Sequence, residues 1–179
     1  KRFINDFIEI FQKYYELIPG GPEQVGINSV SHLNENDFAG VLAKALNRDR
    51  AMAYTTVGIH KDDLEFTING YPLKKYASQG QQKSFLLALK LAQFDFIKKI
   101  KNITPVLLLD DIYDKLDDLR VKQLMELVSS DNFGQIFITD THPGRLAELF
   151  SATDAGFKNF FIRDNTIKET TEEIINSKS

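Results

Sequence analysis

Residues Tyr76–Gln93 read YASQGQQKSFLLALKLAQ, and Pro105–Asp111 read PVLLLDD. In the first stretch a small polar loop runs straight into a long apolar helical pattern. In the second, a strand-like apolar run ends on two acids. The pattern predicts a helix from about Gln81 to Lys101, a strand Val106–Leu109, a helix from about Asp118 to Ser129 and a strand Gln135–Thr139. A further helix is expected near Pro143, because proline suits a first helical turn. Strands alternating with helices build a parallel sheet with helices packed on it, so the fold class is α/β. VLLLDD reads as a strand buried on both faces. The C-terminal end of such a strand is where an α/β sheet places its ligands.

The first half is less regular. Phe3, Phe7, Ile10, Phe11, Tyr14, Leu17 and Ile18 recur at helical spacing and predict a helix with one apolar stripe, ended by Pro19-Gly20-Gly21-Pro22. A strand is expected over Gln24–Ser31. Asn34 is placed to cap a helix over Asp37–Leu46, with Phe38, Val41, Leu42 and Ala45 on one face. EFTIN, Glu65–Asn69, alternates like a strand and precedes a Gly-Tyr-Pro turn. Near the end, Phe157–Arg163 and Thr166–Glu169 flank Asp164-Asn165, a hairpin signal, and the polar tail beyond Thr170 is expected to fray. The division expected from this is a helical segment over 1–20, a main unit over 21–169 and a tail over 170–179.

Composition narrows the function classes. The chain has 179 residues, 42% hydrophobic and 11% aromatic, with 14 Phe and no Trp, which is enough for a packed core. It has no cysteine, which excludes disulfides and thiolate metal sites. No apolar run approaches the ~18 residues of a membrane span. The net charge of −3 gives no support for tight nucleic-acid binding. Local basic groups at Arg48 and Arg50, at Lys74 and Lys75, and at Lys98, Lys99 and Lys101 read as solvated surface. The chain begins in mid-helix pattern without an initiator Met, as a piece of a longer protein would.

Two features carry chemistry. Asp110 and Asp111 are adjacent carboxylates at a strand end, with Asp114 and Asp117 close behind. Like charges repel unless a cation or proton relieves them, and hard oxygens there suit Mg²⁺; the same acids also suit a helix N-terminus. In SQGQQ, Ser78 offers a hydroxyl, Gly80 permits close backbone approach, and the following N–H groups head a long helix. That arrangement binds an anion through oriented dipoles, or is an ordinary serine cap.

SQGQQ, a helix, LLLDD, KLDD and a later strand ending ITDTH occur in an order that resembles the core of ABC-type ATPases. More narrowly, YTTVGIHKDDLEFTING, YASQGQQKSFLLALKLAQ, PVLLLDDIYDKLDDLR and GQIFITDTHPGR are similar to the C-terminal part of the RecF-type recombination-repair ATPases, over roughly Phe3 to Ile162. The resemblance implies the C-terminal lobe of an ATPase head, with the first helix ending a helical arm domain. It matches Ser78, Gln79, Gly80 and Gln81 with the signature loop, which reaches the nucleotide held by the opposite subunit. Asp110 matches the Walker B acid that holds Mg²⁺, Asp111 the acid that orients the attacking water, and Asp117 the D-loop acid working across the dimer. His142 falls near the switch that senses the γ-phosphate, a role open also to Thr139 or Thr141. Gln79 stands where transporters have glycine, as in the RecF variant, and Ile59 replaces an expected proline in GIHKDDL. Gly58, His60, Asp62 and Asp63 there are read as a structural turn.

The resemblance further implies ATP and Mg²⁺ as cofactors, a homodimer on duplex or gapped DNA, RecR- and RecO-type mediators as partners, recombinase loading, and a cytoplasmic location without membrane attachment. Phosphoryl transfer also needs a P-loop. GPEQVGIN, Gly21–Asn28, has its glycine spacing but lacks the Lys and Ser/Thr. The P-loop is therefore expected upstream of Lys1, and the piece alone is expected to be inactive. Rival readings are a non-enzymatic scaffold whose acids cap helices, and a phosphoacceptor domain using Asp110, Asp111 and Thr139.

Overall fold

The computed structural model describes residues 2–18, 23–31, 37–112, 116–129, 132–142 and 156–170. Helix α1, Arg2–Leu17, lies along the long helix α4, Gln79–Lys101, and their facing side chains form much of the core. Phe7, Phe11, Tyr14 and Tyr15 are buried from the first, with Ile18 just after it; Phe85, Ala88, Leu91, Ala92 and Phe94 from the second. Small Ala88 and Ala92 let the helices approach, and Phe11 meets Phe85 with ring centres 4.7 Å apart. Each buried phenylalanine contributes on the order of 1.5–3 kcal/mol. The stripe is rotated from the expected one: Leu17 is 49% exposed, whereas Tyr15 is buried. The expected boundary at Pro19–Pro22 lies outside the described residues, and α1 shares one hydrophobic cluster with α4 and the parallel strands.

Strand β1, Val25–Val30, pairs antiparallel with β2, Asp63–Ile68, which turns into the short β3, Tyr71–Pro72. The turn is Asn69-Gly70 rather than Gly-Tyr-Pro. Both residues have positive φ, 50° and 79°, the geometry that matches the twist of paired strands. Between β1 and β2 runs α2, Phe38–Met52. Its cap is Asp37, whose Oδ1 accepts the Gly40 N–H at 2.9 Å; Asn34 lies outside the described residues. The helix continues past Leu46 because Ala, Arg and Met favour helix even where the apolar face has ended. A single turn of 3₁₀ helix, Ile59–Lys61, precedes β2. One turn of helix, α3, Leu73–Tyr76, leads into α4.

Strands β4, Leu107–Leu109, and β5, Ile136–Ile138, pair in parallel, Leu107 opposite Ile136 and Leu109 opposite Ile138. Between them, α5, Asp118–Val128, buries Val121, Leu124, Met125 and Val128, a helical stripe facing the core. One expectation fails here. Leu107 and Leu109 are buried, but Leu108 is 71% exposed and its neighbour Phe137 52% exposed. A continuous apolar run predicts two covered faces, and the described residues cover one. The expected hairpin is present as β6, Asn159–Arg163, and β7, Thr166–Thr170, turned by Asp164 and Asn165 at positive φ. The helix expected near Pro143 and the tail fall outside the described residues. No described helix is long and apolar enough to cross a membrane.

Candidate functional site

The SQGQ loop is the start of α4 itself. Ser78 adopts extended backbone and caps the helix; its Oγ accepts the Gln81 N–H at 3.2 Å. The Ser78 N–H donates to Gln81 Oε1 at 2.6 Å, which closes a capping box. Gln81 Nε2 donates to Glu23 Oε1 at 2.5 Å, and Glu23 Oε2 accepts the Tyr15 hydroxyl at 2.6 Å. Gln82 Nε2 donates to the Ala77 carbonyl at 3.0 Å. Gln81 is thus engaged at both ends inside the chain and braces the loop. Ser78 and Gln79 are exposed. A serine hydroxyl that accepts one bond still has a proton to donate, so Ser78 combines a cap with an outward donor.

Gly80 has a second reason to be glycine. A β carbon there would stand 3.3 Å from a terminal nitrogen of Arg120. Arg120 Nε donates to Ser84 Oγ at 2.9 Å, and its Nη1 pairs with the Asp117 carboxylate. Asp117 caps α5 by accepting the Arg120 backbone N–H at 3.0 Å. That backbone bond first, then the guanidinium, holds the Asp117 carboxyl below the usual carboxylate range.

At the C-terminal ends of β4 and β5, Thr139 gathers the acids. Its N–H donates to the Leu109 carbonyl at 3.0 Å, extending the β4–β5 ladder. Its hydroxyl donates to Asp110 Oδ1 at 2.5 Å and accepts the Asp111 N–H at 3.2 Å. Asp111 sits at φ 50°, a conformation Asp tolerates better than most residues, so the chain turns sharply as it leaves the strand. His142 is 62% exposed, with Nδ1 3.1 Å from the Thr141 hydroxyl. Its N–H donates to Asp140 Oδ1 at 3.3 Å. The Asp140 side chain is only 5% exposed, and its Oδ2 is buried without a hydrogen-bond partner among the described residues.

The structure therefore brings Asp110, Asp111 and Thr139 together at the strand ends, and it ties Asp117 to α4 through Arg120, which bonds Ser84 and lies beside Gly80. Asp114 lies outside the described residues. Reading residues one motif at a time missed Arg120, Asp140 and the tethering part of Thr139. For Arg120 a signal existed, since it stands three residues after the cap Asp117. Asp140 stands two residues past the end of β5, as Asp111 does past β4, which also marks it.

Mg²⁺ needs few protein ligands, one or two carboxylates plus phosphate oxygens and water. No group of three His, Cys, Asp or Glu among the described residues could hold a metal, yet an oriented Asp110 at a strand end suits that mode. The GIHKDDL segment behaves as a turn: His60 Nε2 donates to the Thr55 carbonyl at 2.9 Å. Arg48 is likewise taken, its Nε donating to Thr56 Oγ1 at 2.8 Å.

No family model matches the chain. It is 51% identical over 160 residues to the DNA replication and repair protein RecF of Flavobacterium johnsoniae, 89% of this chain and 45% of that protein. Against RecF of Parabacteroides distasonis it is 47% identical over 172 residues, 96% of this chain and 47% of that one. Among solved structures it is similar to the recombination mediator protein RecF of the RecFOR pathway in its RecF-ATPrS form, with TM-score 0.76 and 27% identity over 95% of this chain and 45% of that one. The RecF-ATP form gives TM-score 0.74 and 28% identity over the same shares. At such identity over nearly its whole length, the chain belongs to the RecF family and has the fold of part of these proteins, spanning about 45% of the length of these relatives.

Proposed function

We propose that the longer protein is an ATP-hydrolysing DNA-repair factor, and that this stretch supplies the half of the ATP site that one subunit offers to another. The observation that carries the reading is the pairing, inside one RecF-homologous stretch, of a pre-built helix head at Ser78–Gln81 with tethered acids at Asp110 and Asp111. The relatives are named for DNA replication and repair, and the structural neighbours for ATP.

In this reading Ser78, Gln79 and Gly80 present a hydroxyl and first-turn amides to the γ-phosphate of the opposite subunit's nucleotide, and Gln81 holds them in place. A helix N-terminus favours such an anion through its unpaired N–H groups and dipole. Asp110 holds Mg²⁺, which when bound neutralises charge on the phosphates. Asp111 orients the attacking water, Asp117 acts across the interface, and His142 or Thr141 reads the γ-phosphate. The P-loop comes from the part of the protein outside this stretch, residues 1–20 end a helical arm, and the stretch alone does not hydrolyse ATP. The assembled dimer acts on duplex or gapped DNA in the cytoplasm and supports recombinase loading with RecR- and RecO-type mediators.

The deciding experiment is Ser78→Arg in the full-length protein. The long cation fills the space in front of the helix head, so ATP-induced dimerisation on a sizing column should be lost while each subunit still binds ATP. A variant that dimerises with ATP like the parent would sink the assignment of the loop.

A further inference from the structure

Arg120 is the one side chain seen to join the head of α4 to the head of α5 among the described residues. Its backbone N–H and its Nη1 occupy the two oxygens of Asp117, the first at 3.0 Å, so the carboxylate is gripped from both sides. Its Nε donates to Ser84 Oγ at 2.9 Å. Ser84 is fully buried and stands one helical turn beyond Gly80, on the same face of α4. The remaining terminal nitrogen lies against Gly80, close enough that a β carbon there would be at 3.3 Å. Two edges of one guanidinium are therefore committed, to Ser84 and to Asp117, and the third lies beside Gly80.

An exposed ion pair contributes little by itself, because water screens it and two flexible side chains must be ordered. This one differs in its third partner. The guanidinium is planar, and its N–H directions are fixed relative to one another. With Nε held by a buried hydroxyl in the core-facing surface of α4, the direction of Nη1 is set, and so is the place where Asp117 can sit. A lysine at this position has a single ammonium and could satisfy either partner without fixing the angle between them. The lowered carboxyl of Asp117 fits an acid kept charged by this grip.

We propose that Arg120 is a positioning residue that locks the Ser78–Gly80 helix head and Asp117 into one rigid unit. The proposal rests on the reading that both elements serve the opposite subunit's nucleotide. The two then reach the partner together, in a relation fixed before the subunits meet. Without the lock each element must be ordered separately on association, which weakens the dimer roughly tenfold, the cost of immobilising one or two side chains.

The test uses the full-length protein with ATP and magnesium, and separates single-subunit binding from assembly. Titration of ATP at low protein concentration reads the first; sedimentation at rising protein concentration reads the second. Arg120→Ala should leave ATP affinity within about twofold while the ATP-bound dimer weakens roughly tenfold or more. Arg120→Lys should not restore it. Ser84→Ala, a small change that spares the ion pair, should weaken the dimer in the same direction, and the double variant should be no worse than Arg120→Ala. If Arg120→Ala fails to fold, Ser84→Ala and Arg120→Lys decide the matter. Dimerisation of both like the parent overturns the proposal. A parent that does not dimerise with ATP at all overturns the reading beneath it and the proposal with it.

Discussion

The two ends of the candidate site are built to different degrees. At the head of α4, the Ser78 hydroxyl, both ends of Gln81 and the Glu23 carboxylate all find partners within the chain, and the ring core of Phe11, Tyr15 and Phe85 lies beneath. At the ends of β4 and β5, Asp140 has a buried oxygen without a described partner, Asp111 sits at positive φ, and Leu108 and Phe137 leave one sheet face open. A helix head is capped by local sequence, here Ser78 and Gln81, and is braced in this chain by Glu23 from 58 positions away. A strand end in a parallel sheet is finished by whatever packs on both faces and fills the crevice. The first end is a finished surface, and the second is half of a crevice.

That contrast is tested most severely by Asp111→Asn in the full-length protein. Amide for carboxylate keeps the shape and removes the base. Hydrolysis should fall by about 10²–10⁴-fold, the usual loss of a positioned general base, while ATP binding and the ATP-bound dimer persist. Single-turnover hydrolysis beside a sizing run measures both. Hydrolysis within a few-fold of the parent would show that the acid at the strand end is a cap and no part of the chemistry.

How much of this was legible in the sequence follows the same division. The α/β alternation, α4, the parallel pair and the Asp164-Asn165 hairpin come from periodicity and turn chemistry, which are local. Local too is the capping box, yet it moves the start of α4 from the expected Gln81 back to Gln79, because Ser78-Gln79-Gly80-Gln81 is a helical turn as well as a loop. The rotation that buries Tyr15 and exposes Leu17 was not legible; it depends on where Glu23 and Phe85 stand in three dimensions. Neither was the reach of Arg120 to Ser84, across 36 positions of sequence. The expectation of a strand buried on both faces came from Leu108, an apolar residue that the described residues leave 71% exposed.

A smaller effect is expected from Thr139→Val, which keeps the branched shape and removes the hydroxyl that ties Asp110 to the Asp111 backbone. A lost hydrogen bond to a charged group amounts to about 1.5–3 kcal/mol at most. With the Thr139 tether to Asp110 removed, hydrolysis should drop roughly tenfold with a rise in the magnesium concentration needed for half-maximal rate. A magnesium dependence identical to the parent's would separate Thr139 from Asp110 in function, whatever their geometry.

The smallest effect probes the finished end. Burial, followed by the Glu23 hydrogen bond and charge, pushes the Tyr15 hydroxyl above its ordinary range, and burial with the nearby Asp95 does the same for Tyr14. A group whose folded value is raised holds its proton more tightly in the native state. Its contribution to stability is complete below the unfolded value of about 10 and is lost as pH rises beyond it. Tyr15→Phe should cost about 1–2 kcal/mol in urea unfolding of the chain at pH 7, since it removes the donor to Glu23 but keeps the ring against Phe85. Above pH ~10 the variant should lose stability less steeply than the parent, the remaining slope belonging largely to Tyr14. Parallel slopes in the two proteins would mean that the Tyr15–Glu23–Gln81 brace does not hold the loop, and that the helix head is supported by the rings alone.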